Sequence, residues 1–245
     1  RLSCPKVVPM ATGGPMVMGI DMENDLKADM KPEAPLSAQQ SLLILQNWFS
    51  PTFPIGAFSY SAGLETAIAR GDVTDCDGLA DWLRVALLQG PAFNDAVLLR
   101  AAYEGEAVND LCLALCAGAE RHQETTELGA AFANLMRETQ GLEIADGLGY
   151  PVAVGIAARN LGIAVEATVA AFLQSICMQQ ISVAVRTVPI GQMEGQRCLL
   201  ALTPSLEAAI AKALATDTDA IGGFALGADL CALEHETASQ RIYRT

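Results

Sequence analysis

Between Val165 and Val188 the chain runs for two dozen residues with hardly a break in its apolar character. Apolar positions fall on every side of a helical wheel rather than along one stripe, so a helix here needs neighbours all round. Two environments can supply them: the middle of a helical bundle, or a lipid bilayer that a helix of this length could cross. Glu166, Gln174, Gln179, Gln180 and Arg186 interrupt the run, and such groups are costly in lipid. A bundle is the better account, with this segment as its central, most buried helix, ended by Pro189 and Gly191.

The rest of the chain fits that picture. Hydrophobic residues make up 51% but aromatics only 5%, so the core is built mainly from Ala, Leu, Ile and Val, and Ala and Leu favour helix. Ser37-x-x-Gln40 reads as a capping box ahead of one apolar face holding Leu42, Leu43, Leu45, Trp48 and Phe49. A Pro-rich loop at 50–57 ends that helix, and a short helix from Ser61 to Arg70 stops at Gly71. Thr74-x-x-Asp77 opens a helix running to the stop signal Gly90-Pro91. Further helices are expected over 93–103, after a cap at Asn109, over 122–138, from Tyr150-Pro151 to Gly162, over 193–201 and 204–215, and over 228–241. No strand alternation and no internal repeat is found. The fold class is all-α, a single-domain bundle of about ten helices over 37–245. Residues 1–36, with five prolines and no periodicity, read as a disordered segment, and Met10, Met16, Met18, Met22 and Met30 are alternative natural starts.

Charge and cysteine usage narrow the function. Fifteen basic against 28 acidic side chains leave −13, which argues against nucleic acid as a partner. Seven scattered cysteines, an odd number and mostly in apolar surroundings, suit a reducing cytoplasm rather than a disulfide framework. Catalysis finds no support: His122 and His235 lie in no nucleophile motif, and Ser59 and Ser61 lack the flanking glycines of a nucleophile elbow. The stretch from Gly191 to Arg197 lacks the Gly-Lys-Ser/Thr ending of a phosphate-binding loop. Cys112 and Cys116 share a helix face four residues apart with His122 beyond, but their run Leu-Cys-Leu-Ala-Leu-Cys suits core filling. Glu234, His235 and Glu236 point about 100° apart on a helix and cannot converge on one ion within a monomer. No metal site and no cofactor is expected.

Four segments are more specified than packing alone requires. Ser50 to Glu65, SPTFPIGAFSYSAGLE, fixes its backbone with two prolines around a glycine and crowds the hydroxyls of Ser59, Tyr60 and Ser61 before a helix carrying Glu65. The others are the Tyr150-Pro151-Val152-Ala153-Val154-Gly155 helix start, Ala184-Val185-Arg186-Thr187-Val188-Pro189-Ile190-Gly191-Gln192 continuing to Gly195-Gln196-Arg197, and the tail from His235 to Thr245, HETASQRIYRT. In this order and spacing, and with Trp82 in an ADWL run, they closely resemble the urease accessory protein UreF family, over about residues 42–245. Departures are mild: Ile190 stands where Leu is usual, Ile242-Tyr243 where Leu-Phe is, and Thr245 in place of a terminal Ser.

The resemblance implies an all-α, non-enzymatic chaperone that dimerises, binds UreD (also called UreH) partly through its C-terminal tail, and binds the nickel-carrying GTPase UreG, in GTP-dependent nickel insertion into apo-urease. On that basis His235, Glu236, Arg241, Tyr243 and Arg244 are candidate partner-binding residues, since Arg and Tyr are common interface anchors; the alternative for the arginines is a favourable helix end. A polar, largely core-free tail would need a partner to be ordered. Ser59, Tyr60, Ser61, Glu65, Arg186, Gly191 and Gln192 are motif residues with either a GTPase-facing or a structural role. Arg186 could pair internally with an acid such as Glu65, or be presented to the GTPase. A metallochaperone carrying nickel on Cys112, Cys116 or His235, and a helical small-molecule enzyme, are the alternative functions.

Overall fold

The computed structural model describes residues 36–244, so the expectation for the opening segment lies outside the described residues except at Leu36. These residues form eleven α-helices and no strand: α1 (Ala38–Trp48), α2 (Leu64–Arg70), α3 (Cys76–Leu88), α4 (Pro91–Glu104), α5 (Asn109–Ala114), α6 (Ala119–Gln140), α7 (Tyr150–Leu161), α8 (Val165–Thr187), α9 (Gln192–Ala201), α10 (Thr203–Ala215) and α11 (Leu226–His235), with short 3₁₀ turns at Ala57–Ser59 and Thr218–Ala220. All lie in one compact unit. The all-α reading is correct, and most boundaries fall within a turn of those expected.

Local chemistry sets the boundaries. Ser37 and Gln40 form the reciprocal capping box, Gln40 N–H donating to Ser37 Oγ at 3.2 Å and Ser37 N–H to Gln40 Oε1 at 2.9 Å. Two caps differ from expectation. Asp75, not Thr74, caps α3 by accepting from the Gly78 N–H. Asn109 is the first residue of α5, and its side chain instead bridges the loop before α7, accepting from Gly149 N–H and donating to Gly147 O. A longer reach won because that loop offers two backbone groups that no helix satisfies.

Helix α8 is the central element, touching α1, α2, α3, α4, α7, α9 and α10. It is less enclosed than its composition implies: half of its most apolar stretch is buried. Its outer side, through Ala164, Ala167, Ala171 and Gln174, forms one wall of an open groove of about 900 Å³ whose other wall is α1. Leu45 and Trp48 of α1 turn inward, whereas Leu42 and Leu43 are 55% and 59% exposed, so the expected single face of α1 is split. Val165–Thr187 has the length and composition to cross a membrane; here it packs as a core helix with Phe172, Leu173, Cys177 and Val183 inside. Phe172 of α8 belongs to an aromatic chain, Trp48–Phe132–Tyr150–Phe172–Phe49, with successive ring centroids 5.2–6.0 Å apart.

Helices α4 and α7 approach most closely at Gly155, where an added Cβ would lie 2.3 Å from Leu99 O. Gly155→Ala is expected to lower stability by about 2 kcal/mol in urea denaturation, the backbone clash outweighing the gain in helix propensity. Gly227→Ala, with open space around its Cβ, should be neutral or stabilising.

Candidate functional site

The segment 50–63 is irregular yet fixed. Gln179 and Gln180, adjacent on α8, donate to backbone carbonyls across it: Gln179 to Ala57 and Tyr60, the latter at 3.2 Å, and Gln180 to Ser61 at 2.8 Å. Ala62 and Gly63 both take left-handed backbone conformations (φ 50° and 80°), which turns the chain sharply into α2. Glycine is required at 63 for a second reason: a Cβ there would meet Ala228 O at 2.8 Å and Ala232 N at 2.9 Å, the backbone of α11.

That close approach brings the tail onto the loop. The helix expected to reach residue 241 ends at His235, because the residues beyond it find better partners than helical carbonyls. Glu65, near the N-terminus of α2, accepts from Ile242 N–H at 2.7 Å (Oε1) and Tyr243 N–H at 2.9 Å (Oε2). Arg244 N–H donates to Ser59 O at 2.8 Å, its guanidinium lies over the Tyr60 ring, and it pairs with Glu127 of α6 at 2.7 Å. Tyr60 O–H donates to the same Glu127 at 2.8 Å. Tyr243 is buried, with its hydroxyl unbonded. The tail is thus ordered against its own chain, contrary to the expectation that a partner is needed to order it.

His235 is the tail's most buried polar group, 1% exposed. Its Nδ1 lies 2.8 Å from Glu120 Oε2 and its Nε2 3.2 Å from Glu65 Oε2. A carboxyl oxygen thus faces each ring nitrogen at hydrogen-bond distance. Arg241 donates to the other Glu120 oxygen at 2.6 Å. Glu65, Glu120, His235 and Arg241 form one hydrogen-bonded cluster at the junction of α2, α6 and α11.

The neighbouring acids diverge. Glu234 pairs with Arg70 at 3.2 Å, while Glu236 reaches the N-terminus of α6, accepting from Ala119 N–H at 2.6 Å and Glu120 N–H at 3.3 Å, where a carboxylate complements the helix dipole. Cys112 is buried and burial pushes its thiol up to about 12; Cys116 is half-buried and His122 exposed. Among the described residues no three His, Cys, Asp or Glu side chains are grouped to hold a metal ion.

Arg186 is exposed and makes no ion pair among the described residues. The suggested pairing with Glu65 is not formed, because Glu65 is engaged by His235 and the tail. Arg186 and Gln192 line a groove of about 230 Å³ with Pro51 and Phe58 of the loop. Gly191 N–H donates to Glu194 Oε2 at 3.2 Å at the start of α9, and its position has room for a side chain.

The 50–65 loop therefore collects the other three specified segments: the tail on Ser59, Tyr60 and Glu65, Tyr150 beneath it, and Arg186 and Gln192 beside Phe58. The profile of the UreF family matches residues 73–203. A "Urease accessory protein UreF" of Rhodopseudomonas palustris strain BisB5 is 42% identical over 231 residues, covering 86% of this chain and 95% of that protein. Another of the same description, from Cereibacter sphaeroides strain KD131, is 44% identical over 208 residues, 84% of this chain and 99% of the relative. The chain belongs to the UreF family of urease accessory proteins. As a UreF-family chain it has a role in urease maturation.

The sequence did not single out Glu120 and Glu127, which receive the tail. Their seven-residue spacing on α6, with Gln123 between them, places them on one helix face and was the available signal.

Removing Glu65 leaves His235 and two amide N–H groups without their acceptor. Glu65→Ala should destabilise the fold by about 3 kcal/mol and abolish hydrogen-exchange protection at Ile242 and Tyr243; unchanged protection would refute the arrangement. Hydrogen bonds from Gln123, Tyr60 and Arg244 hold the Glu127 carboxyl below its usual 4.5. An acid whose folded value is depressed stabilises above its unfolded value and loses that contribution as pH falls. Exchange protection at Arg244 should therefore be full above pH 4.5 and decline below it, and Glu127→Gln should remove that decline.

Proposed function

We propose that this chain is a non-enzymatic chaperone of the cytoplasm that assembles with UreD (UreH) and the GTPase UreG, as a homodimer within the complex, to regulate GTP-dependent nickel insertion into apo-urease. The supporting observation is the docked tail: it holds α11 against α2 and α6 while leaving an unpartnered apolar face outward. Leu226, Leu230 and Leu233, spaced i, i+4, i+7 on α11, are 60%, 46% and 43% exposed, and Phe224 and Ile242 are more exposed still. Such a face suits the UreD contact, with Arg241 and Arg244 at its edge as charged anchors.

The Arg186–Gln192 groove is the proposed contact for UreG. An exposed arginine without an acid partner, beside a glycine that has room for a side chain, is explained better by a partner than by the fold. The open groove between α1 and α8, lined by Leu42 among others, suits a second copy of the chain.

The test is co-purification with UreD and UreG. Leu230→Asp, at an exposed position, should leave the circular dichroism spectrum unchanged and abolish UreD capture. Truncation after Glu234 should also abolish it. Arg186→Ala should retain UreD but reduce GTP turnover in the assembled complex; unchanged turnover would remove Arg186 from that role. If a folded Leu230→Asp chain still captures UreD, the outer face of α11 is not the contact.

A further inference from the structure

Beneath the 50–65 loop lies a cavity of about 100 Å³ that the assembly surfaces do not use. Its roof is Ala57, Phe58 and Ala62, and its walls include the aromatic side chains of Trp48, Trp82, Tyr150 and Phe172. Its polar lining is unusual. Asp95 from α4 and Glu124 from α6 flank the Arg121 guanidinium, which is bonded to Asp95 and lies 3.3 Å from Glu124 Oε2. Two carboxylates to one guanidinium give one excess negative charge when both are ionised. Burial pushes both carboxyls up, Arg121 opposing it in each case.

The hydrogen bonding points the same way. Glu124 Oε2, although near Arg121, accepts no hydrogen bond, and neither does Gln180 Oε1, on side chains 7% and 4% exposed. Gln180 spends its amide N–H on Ser61 O, so what remains is an acceptor. Trp48 Nε1–H is likewise unbonded, so the cavity lining carries two acceptors and one donor without partners, and buried polar groups left unmet are costly.

We propose that this cavity is a binding site for a small organic cation of the alkylammonium or guanidinium class. Such a guest donates N–H groups to Glu124 Oε2 and Gln180 Oε1, balances the excess charge of the Asp95–Arg121–Glu124 group, and lies against aromatic faces that favour cations. The volume admits a few heavy atoms, so the guest is small. The site belongs to the single chain and does not rest on the assembly proposed above.

The experiment uses the full chain alone. Trp48 and Trp82 are the only two tryptophans and both line the cavity, so intrinsic fluorescence reports its occupancy directly. Ethylammonium chloride is titrated at constant ionic strength against sodium chloride, with acetamide as a neutral hydrogen-bonding control. The expected result is a saturable emission change with a rise in Tm for ethylammonium only, weakened at least tenfold by Glu124→Gln. If Glu124→Gln fails to fold, Gln180→Leu serves in its place, with the same expected loss. An unsaturable response, an equal response to acetamide, or undiminished affinity in a folded variant would each overturn the proposal. A co-purified UreD–UreG complex would be unaffected by that failure, so the two readings fall separately.

Discussion

The carboxylate of Glu65 is the constraint on which the C-terminal third of the site depends. It is placed by α2, whose start is fixed by the left-handed pair Ala62–Gly63 and by the contact of Gly63 with α11. From there it gathers His235 and the amides of Ile242 and Tyr243. A buried carboxylate without a counter-charge is strongly destabilising. Glu65 and Glu120 both find side-chain partners at the tail, in the imidazole ring of His235 and the guanidinium of Arg241. The tail is therefore part of the fold's charge balance, and the abrupt end of α11 follows from it.

The central cavity has the opposite electrostatic character. At the tail junction every carboxylate oxygen that the cluster uses has a donor, whereas Asp95 and Glu124 share one arginine and leave an acceptor unmet. Both clusters draw on α6, with Glu120 and Glu127 facing the tail and Arg121 and Glu124 facing inward. A polar-looking helix in the middle of an apolar bundle is thus polar on two sides for two reasons. Its weak amphipathicity, which would ordinarily mark a solvent-exposed helix, reflects buried ion pairs.

The fold was largely legible because helices announce their ends locally. The Ser37–Gln40 box, Gly71, Gly90-Pro91, Gly105 and Tyr150-Pro151 each act through neighbours within four residues, and these boundaries were placed nearly correctly. Legibility failed where a distant group outbid the local one. Asn109 left its capping role for the backbone around Gly147 and Gly149, and beyond His235 the chain left the helix, Arg241 for Glu120 and Ile242 and Tyr243 for Glu65. The site divides the same way. The four specified segments were visible as motifs, but their meeting around Phe58–Glu65 was not, since no spacing rule relates residues some 180 positions apart. The inward turn of Glu124 was equally hidden, because an acid two residues after an exposed histidine reads as surface until Arg121 and Asp95 are placed beside it.

A docked tail bears on how a partner can use it. If a partner pulled the tail away, Glu65 and Glu120 would lose their hydrogen-bond donors and Tyr243 would leave the core, so the partner would have to supply equivalent donors in the same place. Binding to the docked form requires none of this: the outer face of α11, with Leu226, Leu230 and Leu233, is already presented and desolvation of leucine favours association. Arg241 and Arg244 are about half exposed while paired, so each can keep its acid and still offer unused N–H groups outward. The energetically simpler arrangement is one in which the tail acts as the strap that sets the angle of α11, and the partner reads the helix rather than the strap. On that view truncation after Glu234 and Leu230→Asp abolish the same contact by different means, the first by releasing α11 and the second by charging its face.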